Sequence, residues 1–168
     1  FAFLNNGNGT FSSKTIFYTA AANFTYVLVN DFDNDGKKDV LFSLANNNKI
    51  TWLKNTGFPS FSNNLINYNF NNPFSFAVAD MDGNNLKDII VHDSTGKNIY
   101  GYTISSLKLL YNDNFSFSQT KTIENYPASY YIKRLNINID DIDNDGDLDI
   151  ITKPSYYIIY DNDGLGNF

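Results

Sequence analysis

The chain has 168 residues, a net charge of −6 and no cysteine, a length that fits one domain or a piece of one. Its cations form no stripe, only isolated pairs such as Lys37-Lys38 and Lys133-Arg134, which excludes a nucleic-acid footprint; the missing cysteines exclude disulfides and zinc-thiolate centres. No apolar run approaches the roughly 20 residues of a membrane helix, so membrane insertion is not expected.

In chain order, Phe3 to Phe11 comes first, and it matches Tyr160 to Phe168 at an offset of 157, with Gly7 on Gly164 and Gly9 on Gly166. Residues 1–11 therefore read as completing a preceding unit. Phe24-Thr-Tyr26-Val-Leu28-Val29 then predicts a strand, followed by the acidic loop Asp31-Phe-Asp33-Asn-Asp35-Gly36-Lys37-Lys-Asp39 and a second strand, Val40-Leu41-Phe42. A polar turn at Asn46 to Asn48 leads into a third strand at Lys49 to Leu53 and a fourth at Leu65 to Tyr68. The same order recurs twice. Phe74 to Val78 precedes Asp80-Met-Asp82-Gly-Asn84-Asn85-Leu86-Lys-Asp88 and Ile89-Ile90-Val91; a turn at Ser94 to Lys97, a strand at Asn98 to Tyr102 and one at Thr120 to Ile123 follow. Leu135 to Ile139 precedes Asp141-Ile-Asp143-Asn-Asp145-Gly146-Asp147-Leu-Asp149, Ile150 to Thr152 and Tyr156 to Tyr160.

Each acidic loop offers oxygen side chains at positions 1, 3 and 5, a turn-forming residue at 6 and Asp at 9. Such a set can wrap a hard cation that wants six to eight oxygens at about 2.3–2.6 Å, as Ca²⁺ does. An EF-hand is excluded, because its loop closes with a bidentate Glu at position 12, where this chain has Phe42, Val91 and Thr152. The β-branched runs after each loop read as buried strands, so the loops join two strands. Gly36, Asn85 and Gly146 suit a left-handed backbone at position 6. One such loop alone reads equally well as an Asp/Asn/Gly hairpin turn. Three, each crowding carboxylates that repel by roughly 1–4 kcal/mol per pair at 4 Å, point to a cation. Three Ca²⁺ would bring the formal charge to zero.

Asp31 and Asp80 are 49 residues apart, Asp80 and Asp141 61. Four short strands per unit of about 50 residues is the arithmetic of a propeller blade. The expected fold is all-β: three four-stranded antiparallel blades, with units at roughly 12–61, 62–117 and 118–168. Three blades do not close a ring, since propellers use about four to eight. The chain opens at Phe1 rather than Met, and the expectation is a segment of a larger propeller of about seven blades. Its partners would be further blades of the same parent protein or neighbouring subunits.

The loops, the apolar pair after each, Lys49-Ile-Thr-Trp52-Leu-Lys-Asn55-Thr-Gly57 and Asp163-Gly164-Leu165-Gly166-Asn167-Phe168 resemble the FG-GAP-like, or VCBS-type, repeats of secreted proteins, related to the calcium-binding blades of the integrin α-subunit propeller. The Phe-Gly and Gly-Ala-Pro elements that name the repeat are absent. The resemblance implies a calcium ion in each loop, held by the side chains at positions 1, 3, 5 and 9 (Asp31, Asp33, Asp35, Asp39; Asp80, Asp82, Asn84, Asp88; Asp141, Asp143, Asp145, Asp149). The backbone carbonyls of position 7, in Lys37, Leu86 and Asp147, complete the set. Asp161 and Asp163 look like a fourth loop but lack a ninth-position Asp and read as structural.

In a four-stranded blade the calcium loops occupy one face of the disc. The opposite face, built from Ala20 to Asn23, Asn46 to Asn48, Asn71 to Pro73, Ser94 to Lys97, Tyr126 to Tyr130 and Lys153 to Ser155, is the default binding surface. Tyr130, Tyr131, Tyr156 and Tyr157 are candidates for stacking on sugars. With one His, one Arg and one Glu in the chain, no catalytic centre is expected, and His92 beside Asp93 has no nucleophile in view. The expected function is a secreted or cell-surface calcium-stabilised module for adhesion or recognition of protein or polysaccharide. The alternatives are a structural subunit of a surface appendage or filament and, further off, part of a propeller-type lyase or hydrolase. Charge counting ranks the loops third, first, second: the third has Asp at all four positions with Asp140 and Asp147 nearby, the first is flanked by Lys37 and Lys38, and the second carries Asn84 and Asn85.

Overall fold

The structure, a computed structural model, describes residues 1–19, 23–44, 47–127 and 135–168. The expected loop positions Ala20 to Ala22 and Asn46, the tyrosines Tyr130 and Tyr131, and the Lys133-Arg134 pair lie outside the described residues. Those described contain eleven strands and no helix.

The strands form three antiparallel meanders. The first holds β1 (Phe24–Asn30), β2 (Asp39–Leu44), β3 (Ile50–Gly57) and β4 (Ser60–Leu65); the second holds β5 (Ser75–Ala79), β6 (Asp88–Lys97), β7 (Thr103–Leu110) and β8 (Thr120–Tyr126). The third holds β9 (Ile137–Asp140), β10 (Asp149–Thr152) and β11 (Ile158–Tyr160). Among the described residues it has three strands where four are expected. In the other two sheets the fourth strand is Ser60–Leu65 or Thr120–Tyr126. β5 lies against β1 on one side and β9 on the other, so the first strands of successive sheets stand side by side, an arrangement consistent with propeller blades.

Period-two alternation gives the middle sheet two buried faces. Ile89, Val91, Phe76, Val78 and Leu110 point into one core with Phe32, Leu41, Ile50 and Trp52 of the first sheet. Ile90, Leu107 and Leu109 point the other way, against Leu135, Ile137 and Ile150 of the third. Ile89, Ile90, Leu107, Leu109 and Leu110 are fully buried, each contributing about 1.5–3 kcal/mol. These two cores hold the sheets together and fix the loops at their ends.

Two strands depart from their expected places. Residues 98–102, read as a strand from Ile-Tyr-Gly-Tyr, are the turn between β6 and β7. Asn98 Oδ1 accepts the N–H groups of Tyr100 and Tyr102 at 3.0 Å each, and Gly101 takes φ 82°. This side-chain-to-backbone turn overrides the β propensity and leaves Ile99 and Tyr100 exposed; β6 accordingly runs on through Ser94 to Lys97. In the first sheet the fourth strand is Ser60–Leu65 rather than 65–68. Gly57, at φ 127°, pairs directly with Ser60, and the chain then folds back through the tight contacts Tyr68 N–H to Ile66 O and Phe70 N–H to Tyr68 O, 2.9 and 3.2 Å.

Candidate metal centres

Each acidic loop is wound by its own side chains in one repeated pattern. Position 1 accepts the N–H of position 6: Asp31 from Gly36 (3.0 Å), Asp80 from Asn85 (2.8 Å) and Asp141 from Gly146 (3.2 Å). Position 5 accepts the N–H of position 7: Asp35 from Lys37, Asn84 from Leu86 and Asp145 from Asp147, at 2.9, 2.7 and 2.9 Å. The left-handed residue expected at position 6 is there, with φ 84° at Gly36, 65° at Asn85 and 99° at Gly146. A second lies at position 4, in Asn34, Gly83 and Asn144, at 59°, 73° and 65°. Asn and Gly are the residues that tolerate this conformation, so the signal was present in the sequence at both positions.

The ninth-position aspartates are buried and reach in two directions. One oxygen accepts the N–H of position 2: Asp39 from Phe32 (3.2 Å), Asp88 from Met81 (2.8 Å), Asp149 from Ile142 (3.0 Å). The other accepts the backbone N–H of an asparagine at or just past the end of the third strand: Asn55 (2.8 Å), Asn112 (2.7 Å) and Asn162 (3.0 Å). Those asparagines return their side-chain amides to the loops, on the carbonyls of Lys38, Lys87 and Leu148. No such role is legible for Asn55, Asn112 and Asn162 in the sequence, although an Asn lies at or just past the end of each third strand. The loops are also joined to one another, by Asn34 donating to Asn85 O (2.9 Å) and Asn162 to Met81 O (2.9 Å).

Carboxylate oxygens within 4.8 Å of one another come together as Asp31, Asp33 and Asp35; Asp80, Asp82 and Asp88; and Asp141, Asp143 and Asp149. A fourth group joins Asp143 and Asp145 to Asp161, a residue the sequence reading set aside as structural. All three loops can therefore hold a metal ion. The donors suit a hard cation: every ligand atom is oxygen, and Asp31 Oδ1, Asp33 Oδ1 and Asp141 Oδ1 are buried without a hydrogen-bond partner among the described residues, an arrangement a bound cation relieves. The electrostatics carry the same strain. Burial, opposed by the N–H groups of Asn112 and Met81 and aided by the charges of Asp82 and Asp80, pushes the Asp88 carboxyl up to about 7. Burial and then the carboxylates of Asp145, Asp141, Asp163 and Asp149 raise Asp147. In the first loop lysines answer the charge: Lys37 lies 3.1 Å from Asp35 and holds it low, and Lys54 reaches in from β3 to pair with Asp33, 3.4 Å from Asp35.

A profile of the FG-GAP-like repeat matches residues 1–42 and again 31–91, together more than half of the sequence. The chain belongs to the FG-GAP-like repeat family. No curated protein and no solved structure matches it. The two FG-GAP-like matches contain the first two acidic loops; the third loop, beyond them, has the same hydrogen-bond scheme.

The remaining candidates of this FG-GAP-like chain sit apart from the loops. His92 is fully buried, with Nε2 2.9 Å from Ser105 Oγ and its ring against Phe74 and Tyr126; burial lowers its pKa to about 4. Asp93 is turned to the Asn71 N–H and Lys108. Tyr156 and Tyr157 are exposed, with the Lys153 ammonium 4.5 Å over the Tyr157 ring.

Proposed function

We propose that each acidic loop binds Ca²⁺ and that the chain is part of a calcium-stabilised extracellular β-propeller serving adhesion or recognition. The observation that carries this is the repeated cradle, in which each loop is prewound by hydrogen bonds and brings three carboxylates within 4.8 Å, with carboxylate oxygens of the first and third left buried and, among the described residues, unpartnered. Carbonyls of Lys37, Leu86 and Asp147 would complete the shells. A bound ion supplies charge neutralisation and a tie between consecutive strands, so its binding free energy is folding free energy. Such loops in extracellular modules bind at about 10⁻⁴–10⁻³ M, which fits a calcium-rich exterior and not a cytosol.

The recognition reading is supported by the end of the sheets opposite the loops. There the β6–β7 hairpin carries Ile99, Tyr100 and Tyr102 into solvent, at 91%, 76% and 57% exposure, the kind of projecting apolar and aromatic tip that marks contact surfaces. A filament subunit is the second reading. It is favoured by the outer face of the first sheet, where Phe24, Val27 and Val29 are about half exposed, a face that fits another blade, whether of the parent protein or of a neighbouring subunit. We infer no enzymatic role, since the one histidine is sealed inside the second sheet.

Removal of calcium tests the core of the proposal. At free calcium 100 times Kd one site stabilises by about 2.7 kcal/mol, which at about 2–4 °C per kcal/mol for a chain of this size is about 5–11 °C. EDTA should lower the melting temperature by at least that much, and added Ca²⁺ should restore it. A melting curve indifferent to EDTA would refute it.

A further inference from the structure

The residue just before the recurring asparagine differs among the three loops in a way that their own sequences do not show. It is Lys54 in the first sheet, Tyr111 in the second and Asp161 in the third. The Lys54 ammonium pairs with Asp33 Oδ2 and lies 3.4 Å from Asp35 Oδ2, two of the oxygens a cation in that loop needs. The Asp33 side chain is only 6% exposed, and its other oxygen is buried without a hydrogen-bond partner among the described residues. Tyr111 is neutral and turned away, its hydroxyl donating to Gly166 O at 3.0 Å. Asp161 adds a carboxylate to Asp143 and Asp145. One topological position thus brings a positive, a neutral and a negative group to three otherwise parallel cradles.

We propose that Lys54 is a resident counter-cation of the first loop, holding Asp33 and Asp35 when calcium is scarce, so that the loops fill in the order third, second, first. The inference rests on calcium as the ion of these loops. It places the first loop last, where loop sequence alone ranks it second. An ammonium and a dication compete for the same oxygens, so binding at the first loop is an exchange. Lys54 can make it, because its side chain is 34% exposed and its stem is flexible. The same contact keeps the first loop neutralised without metal. Lys54 therefore weakens calcium binding there and protects the first sheet from chelation.

Trp52 makes the first site separately readable. It is the only tryptophan, and its Nε1 donates to Asp39 Oδ2 at 3.0 Å. Terbium(III), excited through the indole and displaced by Ca²⁺, should report the first loop, while calorimetry counts all sites. Lys54→Met, which keeps the stem, should tighten Ca²⁺ at the Trp52-reported site by about tenfold or more. It should also lower the melting temperature in EDTA and raise it in saturating Ca²⁺. Lys54→Arg should keep the wild-type order, and Lys54→Gln guards against a packing effect of Met. Calcium binding at the first loop unchanged in both neutral variants would overturn the proposal, as would a wild-type first loop that fills before the others. If the wild-type chain gives neither sensitised terbium emission nor calcium heat, the calcium reading itself fails and this inference with it.

Discussion

Asp39→Asn, measured without metal, separates the two jobs of an acidic loop. Asp39 is fully buried and accepts three hydrogen bonds: Oδ2 from Phe32 N–H and Trp52 Nε1–H at 3.2 and 3.0 Å, and Oδ1 from Asn55 N–H at 2.8 Å. An asparagine has one acceptor oxygen. Whichever way it turns, its NH₂ faces at least one buried donor that then has no partner, at a cost of about 1–3 kcal/mol per donor. Asp35→Asn in the same loop removes only contacts with Lys37 and Lys54, solvent-screened pairs that contribute little to stability. In EDTA, urea unfolding should show Asp39→Asn destabilised by about 1–3 kcal/mol, roughly 2–12 °C in melting temperature, with altered Trp52 emission, and Asp35→Asn near wild type. In Ca²⁺ both variants should lose stability. If the two variants unfold together in EDTA, the ninth-position aspartate is only a ligand and the structural account of it is wrong.

Phe32→Ala should cost about 3–5 kcal/mol, because Phe32 is 1% exposed and packs edge-on to Trp52 at 5.3 Å between the first two sheets. Val27→Ala, on the half-exposed outer face, is the control in urea unfolding, and equal losses would refute the assignment of the core. His92 gives a pH dependence whose sign is fixed by its depressed pKa of about 4 against an unfolded value of about 6.5. Above the unfolded pKa its stabilisation is complete; as pH falls from about 6.5 to 4 the unfolded state takes the proton first, and up to about 3 kcal/mol is lost. His92→Gln should remove that slope. Asp93, which burial pushes the other way, is present in both proteins and cancels in the difference, so parallel stability curves between pH 6.5 and 4 would refute the prediction.

The parts of the fold written in local patterns were legible. The apolar, mostly β-branched runs at 40–42, 89–91 and 150–152 mark strands, and the nine-residue carboxylate pattern marks the loop that precedes each. What failed was set by contacts the local pattern does not carry. Ile99 to Tyr102 has strand propensity, yet one asparagine side chain, Asn98, turns the chain there. Position 4 of each loop is left-handed, in the residue types that allow it, but only position 6 was read. Lys54 lies 21 residues from Asp33 and Asp161 lies 16 from Asp145; both meet their loops only because the third strand of each sheet ends beside the start of the second. Charge counting along a loop misses a charge delivered across the sheet.

That delivery also says which mutations can tell metal from fold. Asp39, Asp88 and Asp149 each tie position 2 of the loop to the asparagine at or just past the end of the third strand, so changing any of them loosens three segments of chain before any ion is considered. A loss of calcium binding on ninth-position substitution is therefore no proof of ligation there. Positions 3 and 5 of the third loop are different. Among the described residues, Asp143 and Asp145 accept only backbone N–H groups inside their own loop, and the arrangement of the three β-strands does not pass through them. Their removal should abolish binding at that loop while leaving the metal-free chain folded, and it is at these positions that ligand and keystone come apart.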